Sequence, residues 1–389
     1  MSSKRAQSGF SLLTKLLPAV FLALSGCAGY LPEPGPEVSD LKSGAEQARL
    51  PVITMNETVA RRVETADQPA SFASTWPQRG VAPDYVVGPG DILAVSVWEA
   101  PPAMLVGTTV LDPRAGAATT RQTSFPAQMV SAAGTISIPF AGEVLVAGRT
   151  PEQIEADIAR RLKGKANQPQ ILVQVTQNMT SNATVVGEVG KSLRMPLTAR
   201  GERLLDALAE AGGVRQSVAR MTVQLSRDGR VVNMPLQTVI ADPRQNIMLK
   251  PGDVVTALYQ SLSFVALGAS GINKEIDFEA QGITLAQAMG RMGGTQDMRG
   301  DIKGVFIFRF ENPHAFPDNG KGLPHTPEGK IPVIYQVDLS NPATFLVAQN
   351  FPIHNHDVLY VANAPGADLQ KFLNIVTTSI YSITTLQAL

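Results

Sequence analysis

Apolar positions along this chain fall in short alternating runs broken by Pro and Gly, the pattern of half-buried strands. Tyr85-Val86-Val87 and the run through Ile92, Leu93, Val95 and Val97 read as two β-runs joined at the corner Gly88-Pro89-Gly90-Asp91. Gly134–Pro139 and Gly142–Gly148 predict two short strands, and Ile171–Val175 alternates again after Pro169. Between them the spacing turns helical. Thr150-Pro151-Glu152-Gln153 sets Thr at the N-cap, Pro at the first helical position and Gln where a capping box closes, which predicts a helix to about Leu162. From about Pro101 to Gln128, Ala, Thr and Gly predict a long loop. Gly29 to about Pro83 is rich in Pro, Ser, Glu, Gln and Ala, and the spacing of Pro32, Pro34 and Pro36 favours extended backbone over helix, as in a leash or wrapping arm.

The pattern then repeats. Val186-Gly187-Glu188-Val189-Gly190 corresponds to Leu267-Gly268-Ala269-Ser270-Gly271, an offset of 81 residues from Gly187 to Gly268. At the same offset Gly201, Leu204, Ala207, Gly212 and Gly213 fall on Gly282, Leu285, Ala288, Gly293 and Gly294. Each copy reads as strand, glycine turn, strand, a helix such as Leu204–Ala211 with a Gly-Gly stop, and further strands, Val223–Leu225 in one and Val305–Phe310 in the other. The copies close at Lys250-Pro251-Gly252-Asp253 and His354-Asn355-His356-Asp357. The offset there has grown to 104, from Asp253 to Asp357, so the second copy carries an insertion, placed in the Pro, Gly, Asn and His-rich stretch Glu311–Lys330 on the surface. The same turn type stands at Gly88–Leu93.

Both ends carry membrane chemistry. Lys4, Arg5 and Lys15 precede an apolar run from Leu16 to Leu24, less than half the ~20 residues needed to cross a bilayer, and then Ser25-Gly26-Cys27. That order is a secretory signal over 1–26, with Cys27 taking diacylglycerol on its thiol and, on the amine that cleavage frees, an N-acyl lipid. Cys27 is the sole cysteine and has no disulfide partner. Ala28, where inner-membrane lipoproteins often carry Asp, points to the outer membrane. At the other end, placing 367–389 on a helix gathers Leu369, Phe372, Leu373, Ile375, Val376, Ile380, Ile383 and Leu386 in one arc and Gln370, Asn374, Thr377, Thr378, Tyr381, Ser382, Thr384 and Thr385 in the other. Its 23 residues reach roughly 34 Å, near the ~30 Å hydrocarbon thickness. One such helix leaves its hydroxyl face unsatisfied in lipid; a ring of them turns that face to a water-filled lumen. A hydroxyl-lined lumen suits a sugar polymer, which needs exchangeable hydrogen-bond partners and no tight site.

Composition narrows the chemistry. With 33 basic and 33 acidic residues and no basic run, nothing favours nucleic acid as a partner. Gly187–Ser192 ends in Gly-Lys-Ser, but Val185 stands where a phosphate loop needs its first glycine. His354-Asn355-His356 aligns with a turn of the first copy, so a solvated turn is expected rather than a metal site. Asp91, Asp253 and Asp357 share a place beside turns, which predicts hydrogen bonds to backbone rather than catalysis. No cofactor is expected beyond the lipid on Cys27, and no metal.

These residues together resemble the outer-membrane polysaccharide export family, the Wza-type capsule and exopolysaccharide translocon lipoproteins. Tyr85–Trp98 and Gly134–Val175 are similar to its signature domain, and the 81-residue repeats to its two β-grasp (SLBB-like) domains. The resemblance implies an α+β protein with a signal peptide at 1–26 and a lipidated arm or linker at 27–83. A signature domain follows at 84–178, with its turn at Gly88, Pro89, Gly90 and Asp91. The two β-grasp domains take 183–260 and 263–363, and a C-terminal transmembrane amphipathic helix takes 367–389. It further implies a homo-oligomeric ring, octameric in well-known members, standing in the periplasm below an α-helical barrel in the outer membrane. Asn374, Thr377, Thr378, Tyr381 and Thr385 then face the lumen, and Phe372, Val376, Ile380 and Ile383 face lipid. Polysaccharide is the substrate, an inner-membrane polysaccharide copolymerase the partner, and the function non-enzymatic. Two rivals stay open: a periplasmic glycan-binding lipoprotein that forms no pore, and a polysaccharide-trimming hydrolase, whose two facing carboxylates the sequence does not place.

Overall fold

In the computed structural model, which describes residues 35–66, 70–77, 84–100, 105, 121–297 and 299–365, the described part of the N-terminal arm is largely helical and packs, from Val38 to Val52, on the second repeat, as a wrapping arm rather than a leash; Pro32 and Pro34 lie outside the described residues. The closely spaced prolines end at Pro36. Glu37 then caps helix α1 (Val38–Gln47), with Asp40 closing the capping box on the Glu37 backbone. Strand β1 (Val52–Thr54) and helix α2 (Glu57–Ala66) follow. Beyond it, Ser71 caps the short helix α3 (Phe72–Thr75).

The elements form two units, one holding the arm through Ala66 with Ser263–Ile276 and the described residues from Thr284, the other holding Asp67–Leu262 with Asp277–Ile283. In the second of these, the signature domain is built on β2 (Ile92–Glu99), whose strict alternation turns Leu93, Val95 and Val97 inward. β3 (Arg121–Ser124) and β4 (Gln128–Met129) pair antiparallel with β2 along one edge and β7 (Gln170–Gln177) along the other. A hairpin of β5 (Thr135–Ile138) and β6 (Gly142–Leu145) and helix α4 (Pro151–Leu162) close the core. The predicted cap of α4 is present, Thr150 accepting from Gln153 N–H and Gln153 reaching back to Thr150 N–H, and Ile154, Ile158 and Leu162 share its buried face. Two readings change here. Tyr85–Val87 is not a strand, although Val87 exchanges hydrogen bonds with Gly148 and Arg149, and the 101–128 stretch contains β3 and β4. The buried Glu99 carboxylate accepts from Leu105 and Asn167 N–H and ties down the base of that stretch.

The first repeat contains β8 (Asn182–Gly187), β9 (Leu193–Pro196), α5 (Leu204–Glu210), β10 (Met221–Arg227), β11 (Arg230–Pro235), α6 (Leu236–Ala241) and β12 (Val254–Tyr259) in a sheet of order β11-β10-β12-β8-β9. The second contains β13 (Leu262–Gly268), β14 (Lys274–Phe278), β15 (Ile283–Thr284), α7 (Leu285–Arg291), β16 (Gly300–Glu311), β17 (Ile331–Val337), α8 (Pro342–Ala348), β18 (Pro352–Ile353) and β19 (Val358–Asn363). Its sheet runs β1-β17-β16-β19-β13-β14, the same order with β1 of the arm added in parallel on the outer edge. The repeating glycines have one physical reason. Gly187 and Gly268 both take positive φ, and a side chain at either would strike the carbonyl of the neighbouring strand, at Ala257 and Val361 respectively.

Val38, Leu41, Ala45, Leu50 and Val52 of the arm cover Phe306, Phe308, Ile334 and Tyr360 of the second repeat's sheet. Its other face holds Val305, Ile307 and Leu359 in the core. Burial on both faces explains why Val305-Phe306-Ile307-Phe308 is a continuous apolar run rather than an alternation. Each side chain buried this way contributes about 1.5–3 kcal/mol, enough to override the weak helix propensity of a polar arm.

The insertion lies where the two hairpins differ. Asp228-Gly229 joins β10 to β11, whereas 312–330 join β16 to β17. Arg227 pairs with Arg230 and its equivalent Arg309 with Val333, so the second hairpin runs two residues further, through Phe310 and the buried Glu311, and the extra residues include Glu311. The insertion is less solvated than predicted, since Ala315 and Phe316 are buried. Among the described residues no helix is long and apolar enough to cross a membrane. The C-terminal helix and its barrel fall on residues outside those described.

Candidate functional site

Three turns of one design punctuate the fold, each leading into a strand. In Gly88–Asp91, Lys250–Asp253 and His354–Asp357 the first residue's N–H donates to the carboxylate of the aspartate three positions on, at 2.8, 2.7 and 2.8 Å. The third residue has positive φ in every case: Gly90, Gly252 and His356. Each aspartate is buried, at 0, 1 and 1 % exposure, and does the backbone work expected of it.

In the signature turn the remaining lone pairs of Asp91 reach across to the segment that enters the first repeat. Its carboxylate accepts from Met179 N–H at 2.8 Å, Thr180 N–H at 3.1 Å, the Thr180 hydroxyl at 2.9 Å and the Tyr85 hydroxyl at 2.5 Å. Burial pushes the Asp91 carboxyl up, but the bonds from Tyr85, Gly88, Met179 and Thr180 outweigh it and hold the group below the usual carboxylate range. Burial and the adjacent carboxylate push the Tyr85 phenol up. The turn is thus a clasp. Beside it lies a cleft of 350 Å³ with Val86, Pro89, Leu197, Met248, Leu249 and Pro251 among its walls.

In the repeats an arginine completes the aspartate. Arg227 meets Asp253 through Nε at 2.8 Å and Nη2 at 2.6 Å, and donates to the Met248 carbonyl. Arg309 meets Asp357 through Nε at 2.9 Å and Nη2 at 2.5 Å, and donates to the Pro352 carbonyl, the equivalent position. Both pairs are bidentate and buried. The Trp76 ring lies 5.2 Å from the Arg227 guanidinium, and Phe351 5.0 Å from that of Arg309. Only the second pair has a further carboxylate, Glu311, and a histidine nitrogen, His354 Nε2, at 3.2 and 3.4 Å from Nη1. A guanidinium only donates, so Nε2 of His354 is the acceptor. Burial opposes the Arg309 charge, but Asp357 and Glu311 hold it protonated. Sequence reasoning found the aspartates and missed Arg227 and Arg309. Following the repeat past the helix into β10 and β16 pairs them.

His354-Asn355-His356 forms the turn that its alignment with the first copy predicts, and among the described residues no group of His, Cys, Asp and Glu is arranged to hold a metal ion. Cys27, Asn374, Thr377, Thr378, Tyr381 and Thr385, with Phe372, Val376, Ile380 and Ile383, lie outside the described residues.

Comparison with known proteins decides the lineage. The profile of the polysaccharide biosynthesis/export protein family matches residues 79–176, and that of the SLBB domain matches 181–256. The capsule polysaccharide export outer membrane protein CtrA of Neisseria meningitidis serogroup A is 41 % identical over 371 residues, 93 % of this chain and 95 % of CtrA. The chain belongs to the polysaccharide export family. The capsule polysaccharide export protein BexD of Haemophilus influenzae is likewise 41 % identical, across 96 % of this chain and 95 % of BexD. The EPS I polysaccharide export outer membrane protein EpsA of Ralstonia solanacearum is 27 % identical across 82 % of this chain and 81 % of its own. As a member of the polysaccharide export family the chain is an outer-membrane export protein with a role in polysaccharide export, and it is not an enzyme.

Proposed function

We propose that this protein is the subunit of a ring-shaped channel that passes a capsular polysaccharide through the outer membrane. The observation that carries the reading is likeness to the capsule export proteins CtrA and BexD along almost the whole of both chains. The sequence of the ends supports it. Lipid on Cys27 holds each subunit at the inner leaflet, and helices from 367 onward, amphipathic with a hydroxyl face, assemble as a barrel around a wet lumen. Phe372, Val376, Ile380 and Ile383 then face lipid, and Asn374, Thr377, Thr378, Tyr381 and Thr385 face the polymer. The chain has no phosphate loop. Energy for transport therefore comes from elsewhere, through an inner-membrane copolymerase.

Two measurements test this. Electron micrographs of the detergent-extracted protein should show rings; particles that are all monomeric sink the channel. Removing 366–389 should abolish surface polymer while Cys27 is still lipidated. A strain that keeps its capsule after that deletion requires a glycan-binding lipoprotein without a pore.

A further inference from the structure

The same surface of the two repeats serves two different ends. In the first repeat, Met248, Leu249 and Pro251 line the cleft whose other wall includes Val86 and Pro89 of the signature domain, an apolar match between two parts of one unit. At the corresponding positions of the second repeat, on the 104-residue offset, stand Pro352, Ile353 and Asn355, with His354 and His356 in place of Lys250 and Gly252. Of these, His354, Asn355 and His356 line a separate cleft of 410 Å³, to which Arg309, Glu328 and Lys330 also contribute, while Pro352 and Ile353 do not. Glu328 and Lys330 come from the insertion, so the cleft exists only in the copy that acquired it.

Three features mark it as built for a ligand. His356 holds φ at 67°, a left-handed backbone that the first repeat assigns to Gly252, so an imidazole stands where the turn itself needs no side chain. The floor is the buried Arg309 guanidinium, fixed on four sides by Asp357, Glu311, the Pro352 carbonyl and His354. The lining balances cations, Arg309 and Lys330, against carboxylates, Glu328 and Asp357, and adds imidazole and amide groups that both donate and accept. Exposed Phe310 and Pro327 add apolar surface beside these polar groups, and the balanced charge argues against a bare anion. Neutral, hydroxyl-rich rings fit both.

We infer that this cleft of the second repeat is a contact site for a saccharide unit of the exported polymer, with His354, His356 and Lys330 as its hydrogen-bonding residues. The inference rests on the export reading above and adds to it a place where polymer touches the periplasmic part of the chain. A weak site of this kind holds one sugar at a time and releases it readily.

The test titrates the full-length, detergent-purified protein with short oligosaccharides made by partial hydrolysis of the source strain's own capsular polymer, followed by saturation-transfer NMR and calorimetry. Two variants are compared: His354→Lys with His356→Gly, which restores the residues of the first repeat, and Lys330→Ala. The first keeps a turn that already folds once in this protein, and its melting temperature should hold. Binding by the parent protein, and affinity at least about tenfold weaker in both variants, is the expected result. Equal affinity in parent and variants overturns the site, as does absence of binding by the parent. A strain deleted for the gene separates the two ideas. If it loses surface polymer while the purified protein ignores the oligosaccharides, the cleft assignment falls and the export reading stands. If it keeps surface polymer, both fall.

Discussion

Asp91 accepts bonds from its own turn and from Met179 and Thr180, and with them it fixes how the chain enters the first repeat. Because its folded pKa lies below the unfolded value of about 3.9, the stability it supplies is complete above that value and is lost as pH falls through the folded one. Urea unfolding of the parent and of Asp91→Asn should therefore differ by a constant amount near neutrality, and the gap should close below about pH 4. The arginine pairs behave differently. Asp357→Ala leaves Arg309 buried beside Glu311 alone and is expected to destabilise by about 3–5 kcal/mol, read from the same unfolding curves. The three aspartates were legible because Pro-Gly-Asp and its His-Asp relative sit at local spacing. Arg227 and Arg309 were not, since each lies on a strand at least 26 residues from its partner and nothing in the local pattern marks it. Thr180 was missed for the same reason, its bond joining positions 89 residues apart, whereas Tyr85, only six residues from Asp91, reads in sequence as part of an apolar run.

At the scale of elements, the repeats were readable from glycines whose positions are forced by close approach of strands. α4 was readable from a cap that works through bonds three residues apart. The arm was not. Its closely spaced prolines stop at Pro36, and helix α1 owes its stability to Phe306, Phe308 and Ile334, some 260 residues and more further along the chain. Continuous burial in β16 was the available sign, since a sheet with one wet face alternates and this one does not. The edge strand β1 gives a direct check. A proline in its centre, Ile53→Pro, removes a ladder donor opposite Tyr335, so amides of β17 should lose hydrogen-exchange protection while those of β10 and β12 keep theirs. Equal loss in the first repeat would contradict the pairing.

At the scale of the whole molecule, the arm brings the two ends of the described chain together. Tyr360 donates to the Pro36 carbonyl and Asn363 to that of Gly35, while Glu37 bridges Asn363, so Gly35 and Pro365 leave from one corner of one unit. From Gly35 back to Cys27 the chain, at full stretch, can span no more than about 29 Å. In the channel proposed above, the fatty anchor and the first residues of the spanning helix are therefore delivered to the membrane as a pair. In that channel the segment between Cys27 and Gly35 is expected to act as a ruler, constrained in length and free in sequence. Scrambling 29–34 should leave surface polymer unchanged, whereas deleting most of it should cut export while palmitate labelling of Cys27 persists. A subunit with a short tether is still fastened to the bilayer, but at a depth from which its helix cannot join its neighbours.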